Sequence, residues 1–408
     1  MRRVAITGIG IISPLGNNAA DVYTRARAGH SAIRQLNGAA AQRLVKPLAA
    51  AVDFDPAQHF DPPKFRMLDR VSQFAVVAAR QALTDAGGEV RDRDRTGVFV
   101  GTGMGGTISQ DEGYKTLYGD ASDRIKPFTI LLGMHNSPAA WIGIEHDMRG
   151  PNLTYSTACS SSTVAIGEAW RRVAQGELDM AIAGGAEAPL SCGSMKAWEA
   201  LHTLAALDVL APSSSCKPFS KNRTGMVLGE GAAMIVMEPY EDAQRRGAMV
   251  HGEMLGYGLA TDTGHITRPS VAGQAAAMHA ALRSARLNAS AIDAINAHGT
   301  GTLANDAVET DAIKVVFGDR SHRIPISATK AMHGHLLGAA GAIECVLSLL
   351  AMQHSVALPT MHLHATDPQC DLDYVPNVVR EGMAVRTMLS NSFAFGGTNA
   401  VLVLGAAD

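Results

Sequence analysis

TYSTACSSSTVAIGEAWRRVAQGEL (154–178) and ISATKAMHGHLLGAAGAIECVLSLLAM (326–352) are the two stretches that decide the fold. Each reads as a strand end, a tight turn of small residues, and an unusually apolar helix, over 161–178 and 338–352. Each helix carries an Ala-Ile step with a glutamate close behind: Ala165, Ile166 and Glu168, then Ala342, Ile343 and Glu344. The shared letters are few and weak by themselves. The placement adds weight, because Cys159 opens the first helix and His335 opens the second. Two related halves packed through these helices would bring the two openings together.

The rest of the chain repeats the alternation. VAITGIGI (4–11), TGVFVG (96–101), MAIAGGA (180–186) and AAMIVME (232–238) read as buried strands, and VSQFAVVAARQALTDAG (71–87) as an amphipathic helix ending at glycine. Strands alternating with helices imply α/β layers with mainly parallel pairing. The polar stretch PYEDAQRRGAM (239–249), just after a strand, is the best boundary, so an N-terminal half over 1–245 and a C-terminal half over 246–408 are expected. With 408 residues, 47% apolar and 18% charged, the chain can bury an extensive interior.

A net charge of -3 gives no sign of a nucleic-acid partner. The five cysteines, at 159, 192, 216, 345 and 370, are widely spaced and show neither a disulfide framework nor zinc-ligand spacing. That favours a reducing compartment. MRRVAITGIGIISPLG reads as a first strand and loop rather than a secretory signal. The longest apolar run, Leu336 to Met352, carries Glu344 near its middle and suits a buried helix better than a membrane span. A soluble, cytoplasmic protein is expected.

Chemistry concentrates at a few turns. Cys159 lies in STACSSS, where a helix N-terminus would favour thiolate at neutral pH and small neighbours leave room for a carbonyl. The other four cysteines read as packed core residues. His298 lies in AHGTGT, after the strand AIDAINA, with the Thr300 and Thr302 hydroxyls beside it. His335 lies in TKAMHGHLLG, with Lys330 five residues earlier. Two histidines at glycine-flanked strand ends, one near a lysine, read as catalytic partners of a nucleophile. NSFAFGGTNA (391–400) reads both as a tight hairpin turn and as a place where backbone N–H groups face a cavity. GTGMGG (101–106) satisfies a dinucleotide fingerprint, but no acidic residue ends a second strand where that fold needs one.

Taken together, VAITGIGIISPLG, TACSSS, AGGAE (183–187), KPFSKNRTGMVLGEGA (217–232), AHGTGT, TKAMHGHLLGAAGAIE and NSFAFGGTNA resemble the β-ketoacyl-acyl-carrier-protein synthases with a Cys-His-His site, over essentially the whole chain. The resemblance implies the thiolase fold, a five-layered α-β-α-β-α sandwich of two duplicated halves. It implies that Cys159 takes an acyl chain from the phosphopantetheine of an acyl carrier protein. His298 and His335 would assist loss of carbon dioxide from a malonyl group, and the backbone N–H groups of Cys159 and Phe395 would form the oxyanion hole. Phe395 matches the gate residue. Lys330, Asp306, Glu309 and Glu344 match a supporting polar network, in which Lys330 is expected to orient His335 and add positive field.

Thr267, Thr300 and Thr302 match positions that meet the pantetheine arm, and Met104 and Trp198 match positions lining the acyl pocket. Lys64, Arg66, Arg124 and Lys126 match the carrier-docking surface. His202 and His333 depart from the family's usual arginine and threonine, which bears on carrier and acyl chain rather than on the chemistry. No cofactor of the enzyme's own and no metal are implied. A homodimer is expected, with a heterodimer with a related subunit as the alternative.

Two rivals fit less well. A degradative thiolase needs a second cysteine in a C-x-G turn, where this chain has NSFAFGG. A non-catalytic chain-length partner typically lacks the nucleophile. An enzyme dedicated to a specialised chain such as a polyene shares the same chemistry.

Overall fold

The computed structural model describes residues 1–38, 41–120 and 122–407. The apolar runs become strands because helices cover both of their faces. In the first half these are β1 (Val4–Ile12), β2 (Thr96–Gly101), β3 (Asn152–Tyr155), β4 (Met180–Glu187) and β5 (Gly231–Pro239). In the second they are β6 (Gly252–Thr261), β7 (Ala294–Asn296), β8 (Ile326–Ser327), β9 (Thr387–Phe393) and β10 (Thr398–Gly405). All pair into one 10-stranded sheet, in the order β8-β7-β9-β10-β6-β1-β5-β4-β2-β3.

Counted from its own first strand, each half has the spatial order 3-2-4-5-1. In both, the second, third and fourth strands are parallel and the fifth runs antiparallel to its neighbours. That shared topology is the duplication at which the sequence repeat hinted. The halves join where Ala5 and Ile6 of β1 pair with Glu253 and Gly252 of β6. The expected boundary carries a short helix, Tyr240–Arg245, whose Tyr240 and Ala243 pack on Ala5.

Five helices complete the layers. α1 (Arg70–Asp85), capped by Asp69, covers the outer face of the first half. α2 (Ser161–Gln175) lies in the centre, and α3 (Val271–Ala285) and α4 (Leu303–Phe317) cover the outer face of the second half. α5 (Ala340–Gln353) packs on α2 and is buried on every side from Ala340 to Met352. A helix apolar all round belongs in such a middle layer. The result is an α-β-α-β-α sandwich.

The letter match between the central helices is not their structural register. Ala158 (φ 51) and Leu337 (φ 45) hold left-handed backbone at the start of the 3-10 turns Ala158–Ser160 and Leu337–Ala339, which lead into α2 and α5. Aligned on those turns, Ala165 corresponds to Glu344 and not to Ala342. The repeat therefore lives in the turn geometry and topology, while the shared letters are out of step.

Candidate active site

Cys159 sits in the turn before α2 and is only 6% exposed. Gly101, at the end of β2, lets that turn approach, since a Cβ there would lie 2.2 Å from the Ser162 nitrogen. His298 follows β7, and His335 precedes the turn into α5. A ring nitrogen of each histidine and the Cys159 sulfur all lie within 4.8 Å of one another. The two imidazoles meet edge-on, 5.4 Å between centroids at 81°, and Phe393 closes on His298 at 6.1 Å.

The hydrogen bonds decide which ring nitrogen carries the proton. Leu337 N–H donates to His335 Nδ1 at 3.1 Å, so the proton of neutral His335 is on Nε2. Lys330 Nζ lies 3.4 Å from His298 Nδ1 and donates to the His298 carbonyl at 2.5 Å and to Glu344 at 2.5 Å. An ammonium can only donate, so His298 also carries its proton on Nε2. Burial, reinforced by the Lys330 charge, holds both histidines well below the ordinary 6.5. Both are neutral donors.

Lys330 thus orients His298, whereas the Leu337 backbone orients His335. This corrects the expected pairing of Lys330 with His335. The reason is topological: the short helix Lys330–His333 turns the lysine toward β7, away from its sequence neighbour. By residue type Cys159, His298 and His335 could ligate a metal, but the Lys330 ammonium beside His298 would repel a second cation.

The carboxylates divide their work. Glu344 holds Lys330, and burial pushes its carboxyl up to about 7 against the pull of that lysine. Glu309 accepts the His298 and Gly299 N–H groups at 2.8 and 2.9 Å, fixing the backbone that carries the imidazole. Asp306 faces elsewhere, accepting from Phe219 N at 2.8 Å and Gly301 N at 3.3 Å, with Arg223 3.9 Å away. It supports the 300–302 loop rather than the histidines.

Burial pushes the Cys159 thiol up to about 12, opposed by Lys330 and by the Phe395 N–H that reaches the sulfur. The thiolate expected at neutral pH is therefore not the form that burial favours. Cys159 does stand in the turn before a helix, but desolvation of the charged form is the largest influence on its thiol.

One cleft is lined by Cys159, His298, His335 and Phe395, and by Thr267, Thr300 and Thr302. The Thr300 and Thr302 hydroxyls bond each other at 2.8 Å. Met104 and Trp198 lie outside that lining, in an apolar cluster that also contains Cys159. Trp198 Nε1 donates to Met104 Sδ at 3.4 Å and its ring stacks on Phe395 at 6.2 Å. Cys159 thus stands between a polar-mouthed cleft and an apolar cluster, with Phe395 touching both.

Arg66, Arg124 and Lys126 are exposed around two surface grooves that share no lining residue with the cleft. Lys64 is tied to Glu145, which also takes Arg80, so its ammonium is less free to meet a partner than the three exposed groups. Sequence reasoning missed Asp262, His265 and Arg268, which line the cleft mouth from an irregular loop that has no periodicity to mark it. It also missed the role of Glu187, which ends β4 inside the quoted AGGAE motif. Its burial pushes the carboxyl up to about 7 against four donors.

The fold thus brings a buried thiol and two neutral imidazoles together in one cleft. Residues 1–243 match the beta-ketoacyl synthase N-terminal domain, and residues 251–364 match the C-terminal domain of the same family. The chain belongs to the β-ketoacyl synthase family, a family of condensing acyltransferases.

It is 42% identical to 3-oxoacyl-[acyl-carrier-protein] synthase 2 of Coxiella burnetii, over 99% of this chain and 98% of that one. It is also 42% identical to nodulation protein E of Rhizobium meliloti, over 98% of each. Among solved structures, the ishigamide ketosynthase/chain length factor aligns over 100% of both chains with a TM-score of 0.92 and 35% identity. A type II polyketide synthase acyl-carrier protein in complex with its hexaketide-bound ketosynthase (AntDE:AntF) aligns over 100% of both, with a TM-score of 0.91 and 30% identity.

Proposed function

We propose that this chain is a β-ketoacyl-acyl-carrier-protein synthase that elongates a fatty-acid or polyketide/polyene chain by decarboxylative Claisen condensation. The observation that carries the reading is the convergence of two neutral Nε2–H donors with a nucleophile in one cleft. The Cys159 sulfur attacks the acyl thioester of the carrier arm, and its proton leaves with the departing arm thiol. The acyl chain passes into the apolar cluster around Met104 and Trp198, and Phe395 moves to admit it.

A malonyl arm then enters along Thr267, Thr300 and Thr302. Its thioester oxygen gains negative charge as carbon dioxide departs, and the two Nε2–H groups are aimed to stabilise that charge. The enolate carbon attacks the Cys159 thioester. The tetrahedral oxygen rests on the N–H groups of Cys159 and Phe395, and collapse expels the Cys159 thiolate with a 3-oxoacyl chain on the carrier. The reading requires no cofactor or metal of the enzyme's own.

The carrier docks by positive charge on Arg66, Arg124 and Lys126, Lys64 being the least available of the four candidates. The reading includes a homodimer, or a heterodimer with a related subunit. β3 ends the sheet with Leu153 exposed, and Tyr118, Ile130 and Ile144 are exposed apolar residues on the segments that precede it in sequence. Among the described residues no helix is long and apolar enough to cross a membrane, which accords with work in the cytoplasm.

The test is to supply acyl and malonyl carriers together and weigh the carrier afterwards. A 3-oxoacyl carrier longer by two carbons is expected, and carbon dioxide release without a longer product sinks the condensation.

Chain length offers a second expectation. Met104→Phe adds bulk to a filled cluster, where overpacking costs about 1–3 kcal/mol. Acylation by long chains should slow while short chains are spared, and Met104→Ala should do the reverse or nothing. Equal slowing at every length in a series of saturated acyl carriers would remove Met104 from the acyl pocket.

A further inference from the structure

The glycine loop after β2, which imitates a dinucleotide fingerprint, does cradle an anion, and that anion belongs to the protein. Glu187, at the end of β4 and fully buried, accepts Gly103 N–H at 2.7 Å, Met104 N–H at 3.0 Å, Thr102 Oγ1–H at 3.2 Å and Gly338 N–H at 2.9 Å. The first three donors belong to the N-terminal half and the last to the turn after His335. Aligned on the repeated turns, Gly338 corresponds to Cys159, so Glu187 grips the second half at the counterpart of the nucleophile. The fit admits no side chain, since a Cβ on Gly338 would lie 2.3 Å from Gly103 N.

We propose that Glu187 is a positioning residue for acyl-chain selection, tying the Met104 strand end to the His335 turn so that pocket and catalytic turn hold one spacing. The inference rests on the condensing reading above and deepens it. Its physical basis is that a carboxylate offers only acceptors, so one group can hold donors from both halves. An amide at this site presents N–H groups to N–H groups on one side, and that side lets go.

The test is the rate of acyl-adduct formation on Cys159 across saturated acyl carriers of rising length, in wild type, Glu187→Gln and Thr102→Val. In Glu187→Gln the ratio of long-chain to short-chain rates should change about tenfold, the worth of one charge-assisted hydrogen bond. Thr102→Val, which removes one of the four donors and keeps the carboxylate, should shift the ratio the same way by less. Trp198 emission should move in both variants as its Met104 partner shifts.

Alkylation of Cys159 should be no slower in Glu187→Gln, because a negative charge beside the sulfur has gone. A ratio unchanged in both variants, or equal slowing at all lengths with slower alkylation, overturns the proposal. If Glu187→Gln does not fold, Thr102→Val decides alone. A wild type that forms no adduct with any carrier removes the condensing reading itself, and this proposal with it.

Discussion

Cys159→Ala should abolish the acyl adduct, leaving intact-mass spectra of the variant unchanged after exposure to an acyl carrier that labels the wild type once. Losing a catalytic nucleophile typically costs on the order of 10⁶ in rate. Burial does not single this residue out, since it also pushes Cys216 and Cys345 up to about 12. Lys330 and a backbone N–H ease the charging of Cys216 as well; what distinguishes Cys159 is that it alone of the five cysteines lines the cleft, with a ring nitrogen of His298 and of His335 within 4.8 Å of its sulfur. Cys192 is the most accessible of the others and serves as the internal control. A persisting adduct at Cys192 would mean that the nucleophile has been misassigned.

His298→Ala and His335→Ala should each still acylate at Cys159 but lose malonyl decarboxylation by about 10²–10³-fold, the usual effect of removing one donor from a developing oxyanion. The pH dependence follows from the same geometry. Both imidazoles titrate well below 6.5, so the neutral donor form persists through neutral pH. Loss of wild-type decarboxylation through the imidazoles should come only in stronger acid, where protonating Nδ1 breaks the bonds from Leu337 and Lys330, and any change near neutral pH belongs to Glu344, whose carboxyl at about 7 holds Lys330. Carbon dioxide release from malonyl carrier measures both effects. Normal release by both variants would assign the histidines some other task.

Lys330 shows how far a motif can be read. TKAMHGH places the lysine near His335 in sequence, yet its ammonium reaches His298, which is 32 residues away along the chain. Glu344 and Glu309 do stand behind the site, each at one donor set, while Asp306 faces the 300–302 loop. A list of polar residues cannot divide that labour, because the division depends on which way each helix face turns.

The layers, the strand runs and the glycine-flanked turns were legible from local pattern, since burial on both faces and helix capping leave marks within a few residues. The position of Cys159 was legible for the same reason: a small-residue turn before an apolar helix is a local feature. The spatial order 3-2-4-5-1 in each half, the true register of the repeat and the protonation of the cysteine were decided by tertiary structure alone. So was the clamp of Glu187 on both halves. Each depends on groups distant in sequence becoming adjacent and dry, and desolvation and hydrogen-bond partnership are properties of that assembled environment rather than of any segment.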